Sequence, residues 1–249
     1  MKNNLDNTQL IGVTESGDPS FNLDIFDNLY SGNIIITKRL TNALIDKLIE
    51  NKDKIILHCT CTGMGSSVLE PFVPKKEVTR KKFGELLERG FPIEQCVLRI
   101  DPCIPTKKGI ENACAVVDLF SDTGIKRVRF SVLDMYEHVK KRFEECGLPL
   151  PYETFHAPLE ERLKIRDILV SLGKKYGFEV EACGEPGIES ISCLSQKDID
   201  ILGLTDKVKL VGNAEQRSNC HCPSNKKQLI KDGFKKKCGN GCKYCYIKA

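Results

Sequence analysis

The sequence predicts an α/β protein whose strands form an open, partial (β/α)6 barrel. Two observations predict it: short β-branched or apolar runs alternate with segments of helical spacing, and several of those runs are polar on one face. Such alternation favours crossover connections and a parallel sheet. Six strands fit an open barrel better than a closed eight-stranded one. The predicted strands cover residues 34–37, 54–60, 96–101, 127–132, 178–183 and 208–211.

The helical segments follow from residue spacing. Leu40, Leu44 and Leu48 recur every four residues, which places them on one face of a helix. Ser195 precedes Asp198 by three residues, the pattern of a capping box, so a helix is expected to begin there.

The polar strand faces predict a polar barrel interior. Arg99 and Asp101 share one face of their run, and Arg127, Arg129 and Ser131 share one face of the next. Strands buried on both faces of a parallel sheet are apolar throughout. An antiparallel sheet with one wet face is the alternative, and the intervening helices argue against it. The strand ends, including Asp101 and Ser131, are expected at the C-terminal rim, where barrel active sites lie.

Three regions are expected along the chain. Residues 1–30 are rich in Asn and Asp and predict an irregular lead-in. Residues 31–215 carry the strand and helix patterns of the barrel. Residues 216–249 are rich in cysteine and are expected to pack on the barrel as a cluster-binding tail.

Charge is concentrated in the tail. The chain has 38 basic and 34 acidic residues, a formal net charge of +4, but residues 220–249 hold eight lysines and one acid, hence +7. A basic, cysteine-dense tail indicates nucleic-acid binding. The alternative is that the lysines keep the segment soluble and offset the charge of a thiolate cluster; few aromatic residues lie among them, which favours this alternative.

The cysteines indicate metal or redox chemistry. The chain has 13 cysteines in 249 residues, no apolar run long enough to span a membrane, and a polar start at residues 1–10. We therefore expect a cytoplasmic protein with no membrane partner. Thiols in that compartment serve metal binding or redox chemistry more often than disulfides.

The most specific motif is a loop that holds Cys238, Cys242 and Cys245 with C-x3-C-x2-C spacing. Three thiolates from one loop can hold three irons of a [4Fe–4S] cluster and leave the fourth iron open. Gly239 and Gly241 allow the backbone to curl around the cluster. A zinc site, or a coincidence in a cysteine-rich chain, are the alternatives.

This motif, with Tyr244 before its last cysteine, resembles the signature loop of radical S-adenosylmethionine (radical SAM) enzymes. In that superfamily the loop normally follows the first strand of a partial, TIM-like (β/α)6 barrel. Here it stands at the C-terminus, which is similar to a bacterial family of unknown function whose radical-SAM-like cysteines lie at that end. The segments that resemble that family are 69–74, 97–102, 182–186 with Cys193, and 216–224.

The resemblance implies a radical SAM enzyme of unknown substrate. Cys238, Cys242 and Cys245 would ligate the [4Fe–4S] cluster, and S-adenosylmethionine would chelate its open iron. Tyr244 would lie against the adenine, and Glu185 would bind the methionine amino group. The cofactor would be cleaved to a 5′-deoxyadenosyl radical that abstracts hydrogen from substrate. A one-electron donor such as a flavodoxin or ferredoxin is implied. The alternative is a non-enzymatic zinc or iron–sulfur module that binds nucleic acid through its basic tail.

Further candidates lie at the expected rim. Arg99 and Asp101, which point the same way at a strand end, are catalytic candidates. They are expected either to bind the ribose or carboxylate of the cofactor, or to form a structural pair. Ser131 is a candidate for cofactor binding. Glu70, in a loop, is a catalytic candidate, with an ordinary solvated carboxylate as the alternative.

Four other cysteines are numerous enough for a second centre. Cys183, Cys193, Cys220 and Cys222 predict a second iron–sulfur cluster or a closed zinc site. The alternative is that Cys183 and Cys193 are small buried hydrophobic residues.

Overall fold

The structure, a computed structural model, describes residues 6–213, 220–230 and 238–247. Eight strands in these residues form one sheet, accompanied by six α-helices. The strands are β1 (Ile11–Val13), β2 (Gly32–Thr37), β3 (Ile55–Thr60), β4 (Cys96–Cys103), β5 (Arg127–Val132), β6 (Glu179–Cys183), β7 (Ser190–Ile191) and β8 (Lys226–Gln228). The helices are α1 (Asn42–Glu50), α2 (Lys76–Glu88), α3 (Lys107–Phe120), α4 (Glu137–Glu145), α5 (Leu159–Tyr176) and α6 (Gln196–Ile201).

Every pair of neighbouring strands is parallel. The order across the sheet is β7-β6-β5-β4-β3-β2-β1-β8, so seven strands follow chain order and β8 is added beside β1. Parallel neighbours need crossover connections, which helices α1 to α5 provide between β2 and β6. The predicted α/β class is confirmed, but the described residues contain eight strands rather than six.

The helix ends follow local chemistry. The side chain of Thr106 accepts a hydrogen bond from the Gly109 amide at 3.1 Å, which begins α3. Ser195 and Asp198 form the predicted capping box at α6. Helix α5 ends at Gly177, whose φ of +72° lies in the left-handed region. Helix α5 has 18 residues, and no helix in the described ranges is long and apolar enough to cross a bilayer.

The main core lies between the outer face of the sheet and the helices. Leu57, Leu98 and Phe130 project from three neighbouring strands and pack in one cluster with Phe83 of α2 and Phe120 of α3. The two helix rings are 5.5 Å apart and fully buried. Burial of each such side chain stabilises the fold by roughly 1.5–3 kcal/mol.

A second, smaller core covers part of the inner face. Val97 of β4 packs there with Leu194, with Ile199 of α6, and with Val208. The prediction of a strand over 208–211 is wrong, since this segment crosses the inner face of the sheet without pairing. Val208 supplies buried apolar area to the smaller core. The apolar run that predicted a strand over 208–211 reflects the contact of this segment with the inner face of the sheet.

The sheet is curled into a half-barrel. Glu15 follows β1 and Cys193 follows β7, six strand spacings away, which would be about 29 Å in a flat sheet. Their metal-ligating atoms nevertheless lie within 4.8 Å of each other. The inner face is therefore concave, and it brings the two ends of the sheet together.

The terminal regions contribute more to the sheet than expected. The predicted irregular lead-in, 1–30, contains β1, which lies between β2 and β8. This strand has three residues, one of them Gly12, so it carries too little pattern to be recognised. The predicted boundary at 215/216 falls outside the described residues, as does the lysine-rich stretch 231–237.

Candidate functional site

Polar groups and cysteines gather at the carboxyl ends of the parallel strands, the edge where ligands bind in open α/β sheets. Two groups of thiols lie at this edge. The triplet loop is residues 238–245, with Cys238, Cys242 and Cys245 half-buried. The inner thiol cluster is Cys183, Cys193 and Cys222, all buried, with half-buried Cys220 against them.

The two glycines of the triplet loop pack closely against aromatic rings. A Cβ on Gly239 would lie 2.8 Å from the ring of Phe21, and one on Gly241 would lie 2.9 Å from the ring of Phe72. Gly241 also has a φ of +66°, in the left-handed region. Larger residues at these positions would therefore displace the loop.

The first half of the triplet loop is tied to the chain around β2. Asn240 donates from Nδ2 to Oδ2 of the buried Asp18 at 2.9 Å. Asp18 in turn accepts hydrogen bonds from the Thr37 hydroxyl and the Lys38 amide, each at 2.8 Å. The Lys243 amide donates to the Leu69 carbonyl at 2.9 Å.

The second half of the loop is held by helix α4. Arg142 donates to the carbonyl oxygens of Cys245 at 2.8 Å and Ile247 at 3.2 Å. A ring nitrogen of His138 lies 3.2 Å from the same Cys245 oxygen. The loop therefore bridges the start of the sheet and α4.

Tyr244 is buried beneath the loop on Glu70. Its hydroxyl donates to Glu70, which also accepts from Thr62 at 2.7 Å and from Lys38 at 3.1 Å. Lys38 donates as well to the Asp101 carbonyl at 3.0 Å, and its ammonium lies 5.3 Å from the centre of the Tyr244 ring. Burial would lower the pKa of Lys38, but the Glu70 charge raises it, so the ammonium stays protonated. Glu70 is thus a buried, paired carboxylate and not a solvated one.

Two thiols of the triplet loop, Cys238 and Cys242, are protonated when no metal is bound. Burial raises the pKa of Cys242 to about 12, and it also raises the pKa of Cys238. A metal would have to displace these protons, so metal loading would favour higher pH.

The donor set of the triplet loop has room for an iron–sulfur cluster. Cys238, Cys242 and Cys245 do not form a group whose ligand atoms all lie within 4.8 Å, although all three are described. A four-iron cluster binds each thiolate to a different iron, and so it spaces its ligands more widely than one ion does.

The inner thiol cluster joins two distant parts of the chain. The sulfurs of Cys183 and Cys193 lie 3.3 Å apart, and the Cys193 amide donates to the Cys222 sulfur at 3.4 Å. The Cys183 thiol, the Cys222 thiol and the Arg99 charge all lower the pKa of Cys193. A hydrogen bond with the Cys222 thiol lowers the pKa of Cys220 to about 6. The cluster thus favours thiolates at Cys193 and Cys220, whereas hydrogen bonds with Cys193 raise the pKa of Cys183 and of Cys222, which keep their protons.

Glu15 and Lys226 complete this cluster, and sequence reasoning missed both. A carboxylate oxygen of Glu15 lies within 4.8 Å of the sulfurs of Cys193 and Cys222. Lys226 donates to both Glu15 oxygens at 2.8 Å. Burial raises the pKa of Glu15 to about 7. Glu15 follows β1 and Lys226 begins β8, but both strands have only three residues, too few for the sequence to reveal them.

Arg99, Asp101 and Ser131 lie between the two thiol groups. Arg99 donates from Nε to Asp101 at 2.7 Å and from Nη1 to the Cys193 sulfur at 3.4 Å. The Ser131 hydroxyl donates to the other Asp101 oxygen. Since Lys38 binds the Asp101 carbonyl, a chain of polar contacts joins Tyr244 to the inner thiol cluster.

Glu185 lies apart from that chain of contacts. It accepts a hydrogen bond from the Val132 amide at 2.7 Å and lies 3.8 Å from Arg162, which binds the Ala157 and Pro186 carbonyls. These contacts brace the loops after β5 and β6.

Below the thiols, the concave face is lined with cations. Arg129 is fully buried and donates to the Cys193 carbonyl at 3.1 Å and to Glu181 at 3.0 Å. Arg127 donates to Asp198 at 2.6 Å. Neither ring nitrogen of the fully buried His58 has a hydrogen-bond partner in the described part of the chain. Burial and the neighbouring arginines hold the pKa of His58 well below its ordinary value.

Comparison with known proteins identifies a family without an assigned activity. Residues 31–247 match the family model described as a domain of unknown function, DUF1848. A search of curated proteins finds no match to the chain. The matched range includes both thiol groups and β2 to β8, and on this match the chain belongs to the DUF1848 family.

Proposed function

We propose that this protein is a radical SAM-type iron–sulfur enzyme acting on an unidentified substrate. Cys238, Cys242 and Cys245 are the proposed ligands of a [4Fe–4S] cluster. When bound, that cluster and S-adenosylmethionine supply reductive cleavage to a 5′-deoxyadenosyl radical, which abstracts hydrogen from substrate. The alternative of a nucleic-acid-binding module is an outcome of the test below.

The observation that carries the proposal is the place of β8. It is the edge strand beside β1, so it comes first in space although it comes late in the sequence. The triplet loop follows β8, as the signature loop follows the first strand in the superfamily that the motif resembles. This order supports a TIM-like partial barrel, permuted so that its first strand and cluster loop stand at the end.

The chain supplies the parts that such a loop needs. No fourth cysteine lies within the loop, which leaves one position of a cluster open to the cofactor. Lys38 favours negative charge at Cys242, and Arg142 with His138 fixes the backbone at Cys245. These contacts replace the orientation that a following helix would give.

The polar residues beside the loop have proposed roles in positioning. Arg99, Asp101 and Ser131 are hydrogen-bonded to one another at the same edge of the sheet and offer charged and hydroxyl groups to the cofactor or substrate. Tyr244 offers its ring, since its hydroxyl is held by Glu70. The contacts of Glu185 support a bracing role better than recognition of the methionine amino group.

The proposed compartment is the cytoplasm, where cysteines serve metal binding or redox chemistry more often than disulfides. A flavodoxin or ferredoxin there would be a suitable electron donor.

The test is anaerobic reconstitution of the full chain with iron and sulfide, followed by reduction of the cluster with a one-electron chemical reductant such as dithionite. We expect a reduced four-iron EPR signal that changes when S-adenosylmethionine is added, and formation of 5′-deoxyadenosine. Cys238→Ala should abolish both, whereas Cys114→Ala, at a half-buried cysteine of α3, should leave both unchanged. Zinc without iron, together with salt-dependent binding of nucleic acid, would replace the enzyme by the binding module.

A further inference from the structure

We propose that a second metal centre is bound by Cys183, Cys193, Cys220 and Cys222. The centre is a single thiophilic divalent ion such as Zn²⁺, and it joins the two edges of the open sheet. This centre is separate from the triplet loop and does not depend on the proposed enzyme activity.

The four thiols form a chain of close pairs. A tetrahedral zinc site with Zn–S bonds of about 2.3 Å places its sulfurs about 3.8 Å apart. The Cys183 and Cys193 sulfurs are 3.3 Å apart, and the Cys193 and Cys222 sulfurs lie within 4.8 Å of each other. Cys220 contacts Cys222 through its thiol, so every thiol has a neighbour in the inner thiol cluster. The four sulfurs do not all lie within 4.8 Å of one another, and an ion bound to all four would draw them together.

The surroundings of the thiols fit a negatively charged centre. Four thiolates and one divalent ion carry a net charge of about −2. Arg99 donates to the Cys193 sulfur at 3.4 Å, and the charges of Cys193 and Cys222 act on the buried Lys226 ammonium. The Cys193 amide donates to the Cys222 sulfur, a contact that orients a metal-bound thiolate. Thiols buried only as hydrophobic side chains would not need these donors.

The position of the centre gives it a structural task. Cys183 ends β6 and Cys193 follows β7, at one edge of the sheet, whereas Cys220 and Cys222 precede β8 at the opposite edge. One ion bound to all four would join edges that are seven strand positions apart. It would thereby hold the two edges of the curled sheet together.

Glu15 is a neighbour of this centre and not one of its four ligands. Both of its carboxylate oxygens are bound by Lys226 at 2.8 Å, and four thiolates already complete a closed tetrahedral site. We therefore expect Glu15→Gln to keep the metal.

The experiment removes the triplet loop's thiols first. A full-length variant with Cys238→Ser, Cys242→Ser and Cys245→Ser should still purify with one zinc per chain, measured by mass spectrometry of the metal. Adding Cys193→Ser and Cys222→Ser should reduce that zinc at least tenfold. Adding instead Cys114→Ser and Cys146→Ser, two half-buried cysteines outside the inner thiol cluster, should leave it unchanged.

A second measurement avoids variants of the inner thiol cluster, in case they fail to fold. The variant without the triplet thiols is stripped by a chelator and titrated with Co²⁺. One equivalent should give the strong visible bands of a tetrahedral thiolate site, and X-ray absorption of the zinc form should show four sulfurs at about 2.3 Å.

Three results would overturn the proposal. In the first, the variant without the triplet thiols binds neither Zn²⁺ nor Co²⁺ through sulfur. A disulfide between its inner cysteines would count as this result. Another is four irons with sulfide per chain, which would make the centre a cluster. The third is loss of metal in Glu15→Gln, which would make the carboxylate a ligand. Because the triplet is absent throughout, none of these results depends on the proposed enzyme activity.

Discussion

The hydroxyl of Tyr244 donates a hydrogen bond to the carboxylate of Glu70, across 174 residues of sequence, and both side chains are buried. The same carboxylate binds Lys38 and Thr62. One acidic side chain thereby joins the triplet loop, the loop after β3 and the end of β2.

Replacing Glu70 is expected to destabilise the fold. Glu70→Ala leaves the largely buried Lys38 ammonium without its carboxylate, and breaking such a pair costs about 3–5 kcal/mol. Denaturant unfolding measures the loss. Glu77→Ala, at an exposed glutamate paired with Lys76, should change the free energy of unfolding by less than about 1 kcal/mol. Equal effects of the two variants would show that Lys38 does not depend on Glu70.

Removing Arg142 is expected to loosen the triplet loop. Arg142→Ala deletes the donors to Cys245 and Ile247, so amides of residues 238–247 should exchange hydrogen faster. Reconstituted iron per chain should fall several-fold. Arg166→Ala, at an arginine of α5 that pairs with the neighbouring Asp167, is the control and should change neither quantity. Unchanged exchange in Arg142→Ala would mean that the other contacts suffice to hold the loop.

Asp198 is expected to be essential for packing of α6 on the concave face. Asp198→Ala leaves the buried Arg127 unpaired and removes the cap of α6, for a loss of about 3–5 kcal/mol in the free energy of unfolding. Asp200→Ala, on the exposed side of the same helix, should cost less than about 1 kcal/mol. If both variants unfold at similar denaturant concentrations, the Arg127–Asp198 pair contributes little.

His58 is expected to make the fold acid-sensitive. Its folded pKa is depressed, so below pH 6.5 the unfolded chain binds a proton that the folded protein does not. As the pH is lowered below 6.5, the free energy of unfolding should therefore decrease. The decrease should be up to about 1.4 kcal/mol per pH unit larger in the protein with His58 than in His58→Leu. Urea titrations of both proteins at pH 5, 6, 7 and 8 measure the difference in the free energy of unfolding, which should change below pH 7 and level off toward pH 8. A constant difference from pH 5 to pH 8 would contradict the depressed pKa.

The sequence by itself determined the class of the fold and the residues with the most informative chemistry. Strands β2 to β6 were predicted because four or more residues in each alternate or run apolar. The polar faces of Arg99 and Arg129 indicated a polar concave surface, since alternation along a strand is a local property. The spacing of Cys238, Cys242 and Cys245 is also a local property of the sequence, and it identified the triplet loop.

The tertiary structure alone decided how these parts meet. Strands β1, β7 and β8 have two or three residues each, too few to show a period. They form because β1 pairs with the longer β2, β7 pairs with the longer β6, and β8 pairs with β1 at the edge of the sheet. The pairing of β8 with β1 and the curl of the sheet bring Glu15 to Cys193 and Cys222. Contacts between residues so far apart in sequence depend on sheet order and curvature, which arise from the packing of the whole chain and leave no local pattern in it.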